Sequence, residues 1–445
     1  MWRLSWRTLV ALSAINRFFL RRFTLAGRVV LVAAGVAAML GVDTDRSMTY
    51  QAFTLLLAFV AVGWAGTLGL RPAFRVTRVI PRTATAGEPF SYTVRIDNLT
   101  PRRIAGLVVQ DNPADPRPSL REFIEAGPPP DARSLIARVS GYRRWRWLVS
   151  RREIVTAVPV AVDAVPAAAA IEVSAALTPQ RRGHLRLESV TLARPDPLGL
   201  VRSCVDVERH DAVVVLPRRY RLPAVDLPGA RRYQRGGVAS AGSVGDSEEF
   251  SSLREYRPGD PLQRVHWKSF ARLGAPVVKE YQEEFFERHL LVLDTFAGPR
   301  AAARFEEAVS VAASYAATID TRECLLDLMF VGGRAHCITA GRGLASELRL
   351  LEALAGAALT PSGSFEQLAR AVRARRGDHA GAVVVLLDYD ETRSEFLRDL
   401  RARGVAVLAW VVVERGSPAP AETAGLRVLE VGHVQQGLAR SLVRP

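Results

Sequence analysis

The spacing of apolar and polar positions changes character along this chain. Residues 29–42, VVLVAAGVAAMLGV, are unbroken apolar sequence and reach the length of a membrane span when Leu25 to Arg28 are included, with Arg28 snorkelling to the interface. Residues 48–70 are long enough without help, and only Asp43 to Ser47 separate the two runs, so the pair predicts a transmembrane helical hairpin with both ends on one side. From Phe74 to about Pro217 the pattern becomes short β-branched runs between turn residues: AFRVTRVI, FSYTVRID, GLVVQD, IEVSAALT, HLRLESVTLA and DAVVVLP. Period-two alternation of this kind predicts an antiparallel, Ig-like β-sandwich over residues 73–220. A stretch rich in proline, arginine and alanine, about 112–163, interrupts it as an insertion or long loop whose fold the pattern leaves open. Beyond residue 288 fully apolar strands alternate with amphipathic helices: strands at 289–294, 325–331, 336–339, 382–388 and 405–413, helices at about 301–319, 343–358, 364–375 and 391–403. That rhythm predicts an α/β domain over 289–445 with a doubly wound parallel sheet covered on both faces.

Composition adds scale and orientation. A chain of 445 residues with 49% hydrophobic content exceeds one core and fits about two soluble domains beside the membrane hairpin. Arg3, Arg7, Arg17, Arg21, Arg22 and Arg28 precede the first span, and Arg71, Arg75, Arg78 and Arg82 follow the second, which places both ends in the cytoplasm. A signal peptide or presequence is the rival for the basic lead, but the second apolar run favours a retained anchor over residues 1–72. Much of the net charge of +15 therefore sits beside the spans, where anionic lipid accounts for it. Residues 141–152, GYRRWRWLVSRR, interleave Trp145 and Trp147 with arginines, which suits a membrane surface or a partner, an ordinary solvated strand, or phosphate and base stacking. No nucleic-acid motif accompanies them. Cys204, Cys324 and Cys337 are odd in number and lack metal spacing, as in core thiols of a reduced compartment.

Candidate chemistry concentrates in residues 221–288, a charged and aromatic cassette running into the strand that ends at Asp294. Pro258, Gly259 and Asp260 spell a tight turn, and Asp260 with Pro261 reads as the start of a short helix holding Trp267 inward. Arg254, Arg257, Arg264, Lys268 and Arg272 would then surround Glu255, Asp260 and Glu280 as an ion-pair girdle. Arg254, Glu255, Tyr256, Arg257, Gly259, Asp260, His266, Trp267, Lys268 and Arg272 are the candidate docking or structural set. Asp294 and Asp388 each end an apolar strand, so their carboxylates can meet in the crevice beyond the strands' carboxyl ends. There is no glycine-rich phosphate loop and no serine or cysteine triad signature.

With REYRPGD at Arg254 to Asp260, HWK at His266 to Lys268, AR at Ala271 and Arg272, and VKEY at Val278 to Tyr281, the chain resembles the domain of unknown function 58 family. RRGHLRL at Arg181 to Leu187 and DPLGLVR at Asp196 to Arg202 are similar to further elements of that family. The resemblance implies a bacterial inner-membrane protein whose soluble domains lie on the cytoplasmic side. It also implies a von Willebrand factor A-like α/β domain and partnership with a MoxR-type AAA+ ATPase or another envelope-assembly protein. Such domains commonly hold Mg²⁺ through Asp-x-Ser-x-Ser, a threonine and a second aspartate. Here Asp294, Ser364 and Asp388 take the corresponding places, while Phe296 and Gly298 replace the two serines, so the expected site is degenerate and Asp294 is dispensable for folding. The expected function is a non-enzymatic membrane-anchored scaffold or adaptor. The alternatives are a Mg/Mn-dependent hydrolase using Asp294 and Asp388, with His266 or Asp260 as base, and an anionic-lipid or nucleic-acid binder through residues 141–152.

Overall fold

The computed structural model describes residues 2–40, 47–67, 73–126, 141–222, 249–260, 262–282, 287–319, 324–341, 346–361, 363–375, 379–417 and 426–442. The connector 41–46, Arg71, Pro261 and the side chains of Arg264 and Glu280 lie outside them. The chain divides into two units, Met1–Arg218 and Arg219–Pro445.

The first unit opens with α1 (Trp2–Arg22), α2 (Leu25–Leu40) and α3 (Ser47–Thr67). The basic lead is thus itself a helix, which the apolar runs alone did not predict. α2 and α3 pack on one another as the hairpin requires. Met48–Thr67 is long and apolar enough to cross a membrane, whereas α2, with 16 residues, is shorter than that measure. The helical N-terminus with its apolar helix agrees with membrane association.

The DPLGLV segment seats these helices. The Asp196 carboxylate accepts the backbone N–H groups of Leu198, Leu200 and Val201, which folds the segment into a tight turn with Gly199 at φ +68°. That turn lies against Gly63 and Gly66 of α3 and approaches Gly27 of α2 so closely that a Cβ there would stand 2.0 Å from the Leu200 carbonyl oxygen. Thr24 donates its backbone N–H to the same oxygen at 3.0 Å, fixing the corner between α1 and α2.

Two antiparallel-rich sheets follow. One has the order β1 (Phe74–Val79), β3 (Phe90–Asn98), β7 (Ala170–Pro179), β5 (Val155–Ala157); the other runs β2 (Thr83–Thr85), β9 (Arg202–Leu216), β8 (Gly183–Pro195), β4 (Ile104–Pro113), β6 (Val160–Val165). Alternate residues such as Val94 and Ile96 from one sheet and Leu107, Leu185 and Val213 from the other build a shared apolar core. The stretch 112–163 is not one loop. It completes β4, supplies α4 (Leu120–Glu125), capped by Ser119, and α5 (Tyr142–Arg152), and returns through β5 and β6.

Arg78 corrects its assignment to the membrane flank. Its side chain is fully buried, with Nε on Asp111 at 2.7 Å, Nη1 on Asp211 at 2.9 Å, and further bonds to the carbonyls of Arg209 and Ser189. It ties β1 of one sheet to β4, β8 and β9 of the other, and Tyr92 completes the cluster by donating to Asp111. A buried guanidinium is tolerated because all this hydrogen bonding is satisfied.

The second unit contains a six-stranded sheet in the order β14 (Arg334–Ala340), β13 (Cys324–Gly332), β12 (Glu287–Leu293), β15 (Gly381–Leu386), β16 (Ala406–Val413), β17 (Leu426–Glu430). All neighbours are parallel except the β13/β14 edge. α7 (Ala302–Thr318) packs on β12, β15 and β16, where Trp410 Nε1 donates to the Tyr315 hydroxyl at 2.9 Å. α9 (Phe365–Ala374) and α10 (Glu391–Ala402) cover the opposite face through Phe365, Leu368, Phe396 and Leu397. Both faces being covered explains why β12 and β15 are apolar without alternation. α8 (Glu347–Gly356) and α11 (Val434–Leu442) complete the unit.

Candidate functional site

The crevice expected for this topology lies where the chain leaves β12 and β15 on diverging paths, beyond their carboxyl ends. Asp294 stands there at 0% exposure, but it meets an arginine. Arg393, from the first turn of α10, donates Nε to Asp294 Oδ2 at 2.8 Å, Nη1 to Asp390 Oδ2 at 2.6 Å and Nη2 to the Phe296 carbonyl at 3.1 Å. The remaining capacity of Asp294 is taken by the N–H of Phe296 at 2.9 Å and of Leu387 at 3.2 Å. The guanidinium also lies over the Phe365 ring, 4.9 Å from its centroid. Arg304 of α7 closes the same end from another side, donating to the Leu387 carbonyl at 2.8 Å.

Electrostatics follow from this burial. Desolvation pushes the Asp294 carboxyl above the usual carboxylate range, against the opposing pull of Arg393 and the two N–H groups. Desolvation also works against the Arg393 cation, yet Asp294, Asp390 and Asp388 together outweigh it and raise its pKa. The cation that neutralises Asp294 is therefore part of the protein.

The other two positions of the expected metal set are exposed, unlike Asp294. Ser364 is exposed as the residue preceding α9 and makes no side-chain capping bond. Asp388 is exposed and accepts the N–H of Tyr389. Among the described residues no group of three or more His, Cys, Asp or Glu side chains is placed to hold a metal ion. The hydroxyls nearest in role are Thr295 and Thr360, both donating to the Val331 carbonyl, at 2.6 and 3.1 Å, so they knit strand ends together.

The cassette forms a two-stranded antiparallel sheet, β10 (Glu249–Glu255) with β11 (Val277–Gln282), plus a short 3-10 turn and α6 (Trp267–Leu273). The PGD turn is as expected: Asp260 N–H closes on the Arg257 carbonyl at 3.0 Å and Gly259 takes φ +108°. The helix, however, starts after His266 rather than at Asp260, because the Asp260 carboxylate is committed to Arg254 in a two-point pair at 2.7 and 2.8 Å and to the Arg257 N–H. Arg254 lowers the Asp260 carboxyl to about 2. His266 Nδ1 pairs with the Ser269 hydroxyl at 2.6 Å. Tyr256 is half-buried, while Glu255, Arg257, Gly259, Lys268 and Arg272 are exposed.

Trp267 overturns the inward placement expected of it. It is 62% exposed, edge to face with Phe270, and Leu262 and Leu273 stand exposed at 66% and 69%. α6 is only two turns long, and among the described residues nothing covers any of its side chains enough to bury it, the indole included. Residues 141–152 also differ from expectation: they form α5, whose Arg144 and Trp145 are buried, Arg144 lying 4.3 Å over the Trp2 ring. Arg152 is tied to Glu122 and to the Arg117 carbonyl. Less of the basic aromatic stretch is available to a ligand than its sequence suggests.

A second polar cluster escaped the sequence analysis. Asp327, mid-strand in β13 and fully buried, accepts Arg288 Nε at 2.9 Å and contacts His379 Nε2 at 3.1 Å, with Thr339 and Arg375 at its other oxygen. Burial raises its carboxyl, but the hydrogen bonds from His379, Thr339 and Arg288 win, and the net displacement is downward. The available signal was a charged residue inside the apolar run CLLDLMFV, which demands a partner.

Residues 252–418 match the family described as "Protein of unknown function DUF58". The chain is also 30% identical over 135 residues to "Uncharacterized protein YeaD" of Bacillus subtilis (strain 168), an alignment covering 30% of this chain and 32% of that protein, about a third of its length. Among solved structures it is similar to the ASH / PapD-like domain of human CEP192 (PapD-like domain 7), at 8% identity and TM-score 0.18, covering 32% of this chain and 84% of that one. The family match takes in the cassette motifs, β12 with Asp294, and α10 with Arg393, while RRGHLRL and DPLGLVR lie upstream of it. Residues 252–418 thus carry the chain's match to the DUF58 family.

Proposed function

We propose that this chain is a non-enzymatic, membrane-anchored scaffold or adaptor whose cassette docks a partner protein, a MoxR-type AAA+ ATPase or another envelope-assembly protein. The observation that carries the proposal is the exposure of Trp267 on α6, beside exposed Leu262 and Leu273 and flanked by Lys268 and Arg272. Aromatic and arginine side chains together are the groups that dominate protein docking surfaces. A large apolar ring left in water by a monomer is unfavourable unless a second surface covers it.

The strand order with one antiparallel edge fits a von Willebrand factor A-like domain, and the two sheets with a shared core fit an Ig-like sandwich. The α2/α3 hairpin fits an anchor in a bacterial inner membrane with the soluble units on the cytoplasmic side. In place of catalytic or metal chemistry, Asp294 carries an internal cation, which weighs against a hydrolase built on Asp294 and Asp388. Burial of Arg144 and Trp145 likewise weighs against a nucleic-acid platform at residues 141–152.

The test is direct binding of detergent-solubilised protein to a purified MoxR-type ATPase from the same organism. Trp267→Ala is expected to weaken binding at least about tenfold, roughly 1.4 kcal/mol, with unchanged thermal unfolding. Equal affinity of the variant and the wild type removes the cassette as the docking site. Absence of binding by the wild type removes the ATPase as its partner.

A further inference from the structure

α1 is turned opposite to an ordinary surface helix. Its inner face is polar and is fastened to the sandwich unit: Trp6 Nε1 donates to the Pro118 carbonyl at 3.0 Å, Arg17 pairs with Asp115 at 3.0 Å, Arg21 pairs with Asp206, and Trp2 meets Phe123 edge-on at 6.1 Å. Its outer face is apolar. Leu4, Leu12, Ile15, Phe18 and Phe19 are 69, 63, 52, 45 and 41% exposed. At 3.6 residues per turn these five fall within an arc of about 120°, a single stripe along the helix. A soluble protein would place that stripe in its core and the arginines in water.

We propose that α1 is an in-plane membrane helix: its Leu4, Leu12, Ile15, Phe18 and Phe19 stripe lies at the boundary between headgroups and acyl chains of an anionic bilayer and holds the sandwich unit against that surface. The occupant is argued from continuity and charge. The stripe runs directly into the apolar helices, since Phe18 and Phe23 lie 6.3 Å from the Trp64 ring of α3 and Phe19 stacks on Phe23 at 5.5 Å. The break at Phe23–Thr24, locked on the Leu200 carbonyl, lets α1 leave the direction of α2. Residues 1–42 contain no acidic side chain, and Arg3 and Arg7 are exposed beside the stripe, where anionic headgroups would meet them. The inner face, committed to Asp115, Asp206 and Pro118, rules out a spanning orientation for α1.

This inference rests on α3 being a membrane span, so the experiment carries its own control. Spin labels are placed singly at residues 11 to 19 and at Phe59 of α3, in the full chain with Cys204 and Cys337 changed to serine, reconstituted into nanodiscs containing phosphatidylglycerol. Collision with dissolved oxygen and with an aqueous nickel chelate reports depth. The expected result is an oxygen-favoured, acyl-like signal at Phe59 and at Leu12, Ile15, Phe18 and Phe19, alternating with period 3.6 against half-buried Ser13 and Arg17, where the oxygen preference is lost. Nickel access at Ile15 and Phe19 with Phe59 still in acyl chains overturns the in-plane helix alone. Acyl-like signals at every position of α1 overturn it in favour of a span, and nickel access at Phe59 overturns the membrane reading of α3 as well.

Discussion

Two arginine–aspartate pairs in the second unit use the same chemistry to opposite ends. Arg393 and Asp294 meet at the end of a sheet, 7 and 0% exposed at the side chain, whereas Arg254 and Asp260 meet on the cassette at 35 and 16%. In the crevice the guanidinium supplies the charge that balances a dry carboxylate, beside the N–H groups of Phe296 and Leu387. In the cassette it braces a turn that water would otherwise solvate. The comparison teaches that a family motif can be conspicuous in sequence while a single arginine with no motif around it occupies the carboxylate of the crevice. Removing one member of a buried pair leaves an uncompensated charge, but an exposed pair is replaced by water.

The sharpest extension of the buried class lies between the two sheets of the first unit. Arg78→Ala strands Asp111 and Asp211 and frees two carbonyls, so a loss of about 4–5 kcal/mol is expected in denaturant unfolding of the solubilised protein. A loss below 1 kcal/mol would show that water reaches the cluster. Next comes Asp294→Ala, expected to cost about 3 kcal/mol because Arg393 keeps only Asp390 and a carbonyl. This reverses the expectation that Asp294 is dispensable for folding, and the double variant Asp294→Ala with Arg393→Met should regain part of the loss.

The third prediction concerns pH. Because the Asp327 carboxyl lies below its unfolded value near 4, its stabilising contribution is complete above that pH and fades as the pH falls beneath it. Acid unfolding of Asp327→Asn should therefore depend less steeply on pH below about 4 than that of the wild type. A parallel slope would remove Asp327 from the acid response. The smallest effect on stability is expected for Arg254→Ala, with a melting curve superimposable on the wild type while partner capture falls. A clear drop in melting temperature would place the cassette pair with the buried ones.

Much of the architecture was legible because burial repeats along each element. The apolar runs at 289–294 and 382–388 became β12 and β15, and the helix expected at 391–403 became α10 over Glu391–Ala402. β17 and α11 were missed, being short and next to polar sequence, as was α1, whose apolar stripe is diluted by arginines that pair with Asp115 and Asp206. In the candidate site Asp294 was visible as an acid ending an apolar strand, and the PGD turn was visible from proline and glycine. Arg393 was not, since one more arginine in ETRSEFLRDLRA has no distinguishing neighbour. Nor was the outward Trp267, because whether an aromatic residue is covered depends on what else folds over a two-turn helix.

Sequence alone determined where most strands and helices form, where the chain must turn at Pro258 to Asp260 and which helix is apolar enough for lipid, because those properties depend on residues a few positions apart. Only the tertiary structure decided which charges are interior. Arg393 and Asp294 lie 99 positions apart and Arg78 and Asp111 lie 33 apart, and a flexible guanidinium leaves no periodic trace of the carboxylate it will reach. The physical reason is that burying a charge is favourable only when its partner arrives from elsewhere in the fold, so its role is fixed by packing and not by its neighbours in the chain.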